Sequence, residues 1–209
     1  MSKYIWVNPV AEKMYGCEVH RIKEHLENKG YIFAGCDPQL EYVEKQYVEY
    51  SKDKSKIILD CRCPETINLL KNEGMLDGFE VPMIEPILIR TSRVLYDKYV
   101  KNSEDILIIT CPCTQLRDHG RKLFEDNDNI IFYTWKEFIE SQGMHSHGQI
   151  DESPIPLGFF RKSFEEVLEL SGKEIILSEI KNIKGHKIRK YDIVEMLYCN
   201  EGCNNGDGL

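Results

Sequence analysis

No apolar run in the sequence approaches the roughly 20 residues needed to cross a bilayer. The start, MSKYIWVNPVAEK, has no basic region leading into a long apolar stretch. A cytoplasmic protein is the expectation, with no membrane partner. Basic residues are not in excess either: 27 Lys and Arg against 35 Asp and Glu leave a formal net charge of -8. The acidic residues are spread along the chain rather than gathered in a tail, so nothing resembles a phosphate-binding surface, and nucleic acid is not an expected partner. Internal repeats and low-complexity tracts are absent. With 209 residues and 42% hydrophobic content, the chain is long and apolar enough for one large domain or two fused lobes.

Cysteine, by contrast, is plentiful, with eight in the chain. Reducing cytosol disfavours structural disulfides, so metal binding or redox chemistry becomes the leading explanation. Cys17 and Cys36 stand alone and read as buried, inert thiols. The other six need a different account.

Apolar, β-rich runs alternate with stretches of helical period, the pattern of an α/β protein with mostly parallel strands. Tyr4 to Val7, Tyr31 to Ala34, Lys56 to Leu59, Asp105 to Thr110 and Asn129 to Tyr133 read as strands. Glu18 to Asn28, Gln39 to Tyr50, Pro64 to Asn72, Pro86 to Tyr99, Lys136 to Ser141 and Phe164 to Leu170 read as helices. Pro64 suits a first helical turn. Glu174 to Ile180 and Lys187 to Leu197 look strand-like with a short connection between them, which predicts a C-terminal antiparallel hairpin. Gly143 to Leu157, rich in His, Ser, Pro and Gly, reads as a loop and as the place for a lobe boundary.

Three places share one design, an apolar strand running into cysteine. Ile57-Ile58-Leu59-Asp60 leads to Cys61-Arg62-Cys63-Pro64, and Ile106-Leu107-Ile108-Ile109-Thr110 leads to Cys111-Pro112-Cys113-Thr114. Ile193-Val194-Glu195-Met196-Leu197-Tyr198 leads to Cys199-Asn200-Glu201-Gly202-Cys203. In an open α/β sheet, ligands bind beyond the carboxyl ends of parallel strands, so cysteines distant in sequence are candidates to meet. Thiolates are soft ligands suited to zinc or an iron-sulfur cluster, and this spacing is not that of a zinc finger. Backbone N–H groups at a helix start after Cys63 would favour its thiolate form. Gly202, Gly206 and Gly208 would let backbone approach a bulky inorganic core.

The segment from Glu195 to Gly208 resembles the iron-only hydrogenase motif E-V-M-A-C-P-G-G-C-x-x-G-G-G. Pro112-Cys113-Thr114 is similar to that family's M-P-C-T-A-K-K, and Cys63-Pro64 to the second half of its T-S-C-C-P-x-W, in the same order along the chain. The resemblance runs from about Lys56 onward. It implies an α/β fold of two lobes of mostly parallel sheet flanked by helices, as in the iron-only hydrogenase catalytic domain, over residues 1–209. It also implies a [4Fe-4S] cluster on Cys63, Cys113, Cys199 and Cys203, with Cys203 in the place that, in the hydrogenases, also bridges to a two-iron subcluster.

The chain departs from the family at positions that serve the second metal centre. Arg62 stands where the family has a proton-shuttling cysteine, Leu116 where it has a lysine, and His119 where it has a glutamate. The glycine-rich segment expected over Pro154 to Arg161 is missing. The expectation is therefore a cluster-binding protein acting in electron transfer, redox sensing or cluster handling without hydrogen turnover, working with a redox partner such as a ferredoxin or reductase. The alternatives are a minimal iron-only hydrogenase with a two-iron centre on Cys203, and a zinc-stabilised interaction module. Cys61 and Cys111, each two residues before an expected ligand, read as core thiols or as supports to the ligand set. His145 and His147 read as solvated loop side chains, and Arg117 to Arg121 as the exposed start of a helix.

Overall fold

Alternation along Ile106–Cys111 sets up the first of two units. In this strand, β4, Leu107, Ile109 and Cys111 point to one side and Ile106 and Ile108 to the other, and apolar residues on both faces require layers of helix on both sides. The computed structural model describes residues 2–15, 19–146, 150, 152–184 and 190–209, and it divides into two compact units. The first comprises residues 1–38, 88–154 and 203–209, and the second residues 39–87 and 155–202.

In the first unit, β1 (Lys3–Trp6), β2 (Tyr31–Phe33), β4 and β5 (Ile130–Thr134) form a parallel sheet in the order β2-β1-β4-β5. Leu107, Ile109 and Cys111 pack with Ile130 and Phe132 of β5 beneath Leu88, Ile89 and Leu95 of α5 (Ile87–Tyr99) and Leu116 of α6 (Thr114–Leu123). On the opposite face, Ile5 and Ile108 meet α1 (Pro9–Tyr15), α2 (Val19–Asn28) and α7 (Trp135–Ser141) through Ala11, Tyr15, Leu26, Trp135 and Phe138. The Trp135 indole N–H donates to the Tyr15 hydroxyl at 2.9 Å, satisfying the one polar group of a fully buried ring.

The second unit has a three-stranded parallel sheet, β3-β7-β6, built from β3 (Ile58–Leu59), β6 (Val167–Ser171) and β7 (Ile193–Leu197). Leu59, Val194 and Met196 face α4 (Pro64–Asn72) and α8 (Lys173–Lys184). Ile58 and Ile193 face Val43 and Tyr47 of α3 (Leu40–Ser51) together with Phe160. Pro64 occupies the first turn of α4, as its missing N–H predicts.

All strand pairs among the described residues are parallel, and the fold class expected from the sequence holds in that respect. The C-terminal hairpin does not. Glu174 to Ile180 lies in helix α8, which carries the chain from β6 over to the parallel strand β7. The apolar run Ile175-Ile176-Leu177 looks strand-like, but Ile176, Ile180 and Ile183 are the buried set, at helical spacings of four and three. Phe164 to Leu170 is likewise corrected, since its latter half is β6. There Leu168 and Leu170 turn to one core cluster and Val167 to the other, a period of two. Helices α1 and α6 have no counterpart in the sequence reading beyond the charged run of Arg117 to Arg121, which falls inside α6. The described residues of the Gly143 to Leu157 segment carry no helix or strand. Cys17 and His147 lie outside the described residues.

Candidate metal centre

Three of the four expected ligands stand beyond a strand end. Cys63 follows β3 and is the N-cap residue of α4, and Cys113 follows β4 and is the N-cap residue of α6. Cys199 lies two residues past the end of β7, and Cys203 opens a short 3-10 turn, Cys203–Asn205. Cys63 and Cys199 belong to the second unit, Cys113 and Cys203 to the first. None of the seven described cysteines is in a disulfide. Among the described residues, no three His, Cys, Asp or Glu side chains form a group that could hold a metal ion.

Within the second unit, the pairing of β3 with β7 brings the Cys63 and Cys199 segments side by side. Asp60 N–H donates to Val194 O at 2.9 Å, and Thr66 N–H donates to the Cys63 carbonyl at 3.2 Å. Burial, the largest effect, raises the Cys63 thiol, while the nearby backbone of Tyr198, Thr66 and Glu65 pulls the other way. Backbone N–H dipoles near a partly buried sulfur favour its thiolate form, the form a metal binds. Beyond β7, Gly172 (φ +90) accommodates Asn200, whose Oδ1 would lie 2.2 Å from a Cβ at that position, and Glu201 N–H donates to Ser171 Oγ at 3.3 Å. The loop between Cys199 and Cys203 thereby rests on the β6–α8 corner.

Within the first unit, the segment after Cys203 folds onto the β4–α6 joint. Gly208 N–H donates to Pro112 O at 3.1 Å, and a Cβ on Gly206 would lie 2.2 Å from that same oxygen. A Cβ on Gly208 would lie 3.0 Å from Cys113 Cα and 2.7 Å from Thr134 Cβ, so glycine is what allows this close approach to Cys113. The Asp207 carboxylate reaches the first turn of α6, where it accepts from Thr114.

The residues before the cysteines hold what the sequence did not reveal. Arg62 is buried, and its Nη2 donates to Asp60 Oδ2 and to Glu195 Oε1, both at 2.8 Å, while its Nε reaches both Asp60 oxygens at 3.0 Å. Glu195 also accepts from Gly158 N–H at 2.9 Å and Phe159 N–H at 3.3 Å. The guanidinium carbon lies 3.9 Å from the Phe159 ring centre and 4.7 Å from that of Phe160. Burial works against the Arg62 charge, but the two carboxylates outweigh it and raise its pKa further, so the side chain is a fixed cation. Burial likewise raises the Glu195 carboxyl, with Arg62 opposing. A charged residue in the middle of the apolar stretch Ile193–Leu197 is the one hint in the sequence that such a partner exists.

Cys111 is fully buried among Leu107, Ile109, Leu116 and Phe132, and burial drives its thiol upward, which makes it a core thiol. Cys61 donates to Leu59 O at 3.4 Å, and burial next to Asp60 pushes its thiol up to about 12. Cys36 packs at the edge of the same cluster as Cys111. Leu116 is buried in that cluster too.

No protein-family model and no curated protein matches the chain. Solved structures do. Two variants of [FeFe]-hydrogenase HydA1 from Chlamydomonas reinhardtii superpose with TM-scores of 0.62 and 0.63 at 13% and 12% identity, over 99% of this chain and 79% of theirs. A further [FeFe]-hydrogenase, described for oxygen inactivation through its H cluster 2Fe subcluster, superposes with a TM-score of 0.63 at 13% identity, over 99% of this chain and 80% of that one. The chain has the fold of an [FeFe]-hydrogenase catalytic domain.

Proposed function

We propose that this chain binds a [4Fe-4S] cluster through Cys63, Cys113, Cys199 and Cys203 and serves in electron transfer with a redox partner protein such as a ferredoxin or reductase, without turning over hydrogen. The observation that supports it most is the placement of Cys63, Cys113 and Cys199 past the ends of parallel strands in a hydrogenase fold. When bound, such a cluster supplies one-electron redox chemistry. The chain's own residues supply thiolates, backbone donors and a glycine-lined segment that lies close against Cys113.

Hydrogen turnover is set aside because of the residues present. Arg62 is held by two carboxylates as a permanent cation and cannot cycle a proton. Leu116 is an apolar core residue with no donor to offer a second metal centre. The net charge of -8 suits a partner with a basic docking patch.

The test is anaerobic reconstitution with iron and sulfide, followed by iron and sulfide analysis, electron paramagnetic resonance of the reduced sample and an infrared spectrum. About four irons per chain, a reducible cluster and no carbonyl or cyanide bands are expected. Serine at any of the four cysteines should lower the iron content. A colourless protein with stoichiometric zinc, or iron content indifferent to all four serine variants, would overturn the proposal.

A further inference from the structure

We propose that Asp60, Arg62 and Glu195 form a buried charge clamp that positions Cys63 against the β7 segment and holds down the reduction potential of the cluster. This rests on the cluster reading above. The clamp lies wholly within the second unit and joins three pieces of chain: the end of β3, the centre of β7 and the Gly158–Phe160 turn. Asp60 Oδ1 fixes the joint itself, since it accepts from Arg62 N–H at 2.9 Å and from the Tyr47 hydroxyl at 3.2 Å, and that hydroxyl accepts from Cys61 N–H at 2.8 Å. The two residues that immediately precede Cys63 are thus tied by their backbone amides before the chain turns into α4.

The charges do not balance. Two carboxylates face one guanidinium, and Asp60, Arg62 and Glu195 are all buried, Asp60 and Glu195 completely. With both carboxylates ionised the clamp carries a net charge of about minus one in a region where charges are poorly screened. Asp60 stands three residues before Cys63, and its carboxylate holds the amide of Arg62, the residue next to Cys63, at 2.9 Å. Reduction adds an electron to the cluster, and a fixed negative charge beside a ligand opposes that step, with net charge and hydrogen bonding among the determinants of cluster potential. Arg62, which replaces a proton carrier, becomes a positioning residue and a partial counter-charge.

The experiment is a redox titration, followed by electron paramagnetic resonance, of the reconstituted wild type and of Glu195→Gln, Asp60→Asn and Arg62→Lys. Iron content and the melting temperature of each apo protein are measured alongside. Both carboxamide variants should shift the potential upward, and Arg62→Lys, which keeps the charge, should stay near wild type. Iron loss from a carboxamide variant whose apo form melts like wild type also supports the positioning role. Wild-type potentials in both carboxamide variants at full iron content would overturn the proposal, as would iron loss that only follows a fall in apo melting temperature. A wild-type protein that takes up no iron fails the cluster reading instead, a result distinguishable from any outcome in the variants.

Discussion

The Asp207 carboxylate accepts two hydrogen bonds from Thr114, one from the backbone N–H at 2.9 Å and one from the hydroxyl at 2.6 Å. A residue 93 positions along the chain thus satisfies an open N–H in the first turn of α6, immediately after Cys113. Negative charge is favoured there by the helix dipole as well. Removing a cap of this kind costs about 1 kcal/mol, within a range of roughly 0.5–2. Asp207→Ala should lower unfolding stability by that amount in urea titrations. On the cluster reading it should also reduce iron retention more than Asp207→Asn, which keeps one acceptor.

Glu201 has φ +61, followed by Gly202 at φ +112, between Cys199 and Cys203. A left-handed conformation costs an L-residue roughly 1–2 kcal/mol. Glycine removes that strain but gives back about 0.4–1 kcal/mol through the freedom of the unfolded chain. Glu201→Gly should therefore raise stability by up to about 1.6 kcal/mol on these two figures. Equilibrium denaturation of the pair checks it, and a clear loss of stability would show that the glutamate side chain contributes more than its backbone costs.

The parallel α/β plan is legible in the sequence because β4 and β5 are short apolar runs bounded by polar residues, and α4 announces itself with Pro64. Helix α8 is hidden, because Ile175 adds an apolar residue that is 53% exposed to an otherwise helical stripe. Strand β6 is hidden for the opposite reason: Phe164, Val167 and Leu168 mimic a helical period although the residues from Val167 to Ser171 alternate. At the candidate site, the placement of Cys63, Cys113 and Cys199 past strand ends is legible, since each follows its strand locally. The partners of Arg62 are not. Glu195 is 133 residues away, and nothing local to Arg62 tells a buried clamp from an exposed cation.

Gly120 shows a similar long-range demand. It sits inside α6, where glycine is unfavourable by propensity, but a Cβ there would lie 2.4 Å from the Phe132 ring of β5. Gly120→Ala gains about 1 kcal/mol of helix propensity and loses roughly 1–3 kcal/mol to overpacking. The expected outcome is net destabilisation in urea titrations. Pairing it with Phe132→Leu should recover part of the loss, because the ring is the obstacle.

Acid should weaken the first unit through Asp105. Its carboxylate accepts from the backbone N–H groups of Ser2, Lys101 and Asn102 and from the Asn102 side chain, at 3.1–3.3 Å. Burial alone would raise its pKa, but these four donors together outweigh it and hold the carboxyl below the ordinary range. A carboxyl depressed by folding contributes stability that is fully present above its unfolded pKa of about 3.9 and is lost as pH falls through the folded value. The melting temperature should therefore drop most steeply below about pH 4. Asp105→Asn, already less stable at pH 7, should show a shallower decline over that interval. The decline will not vanish, because Asp118, whose pKa is lowered by its hydrogen bond to Arg117, titrates in the same direction. Parallel slopes for the variant and the wild type would show that the Asp105 donors do not couple its ionisation to folding.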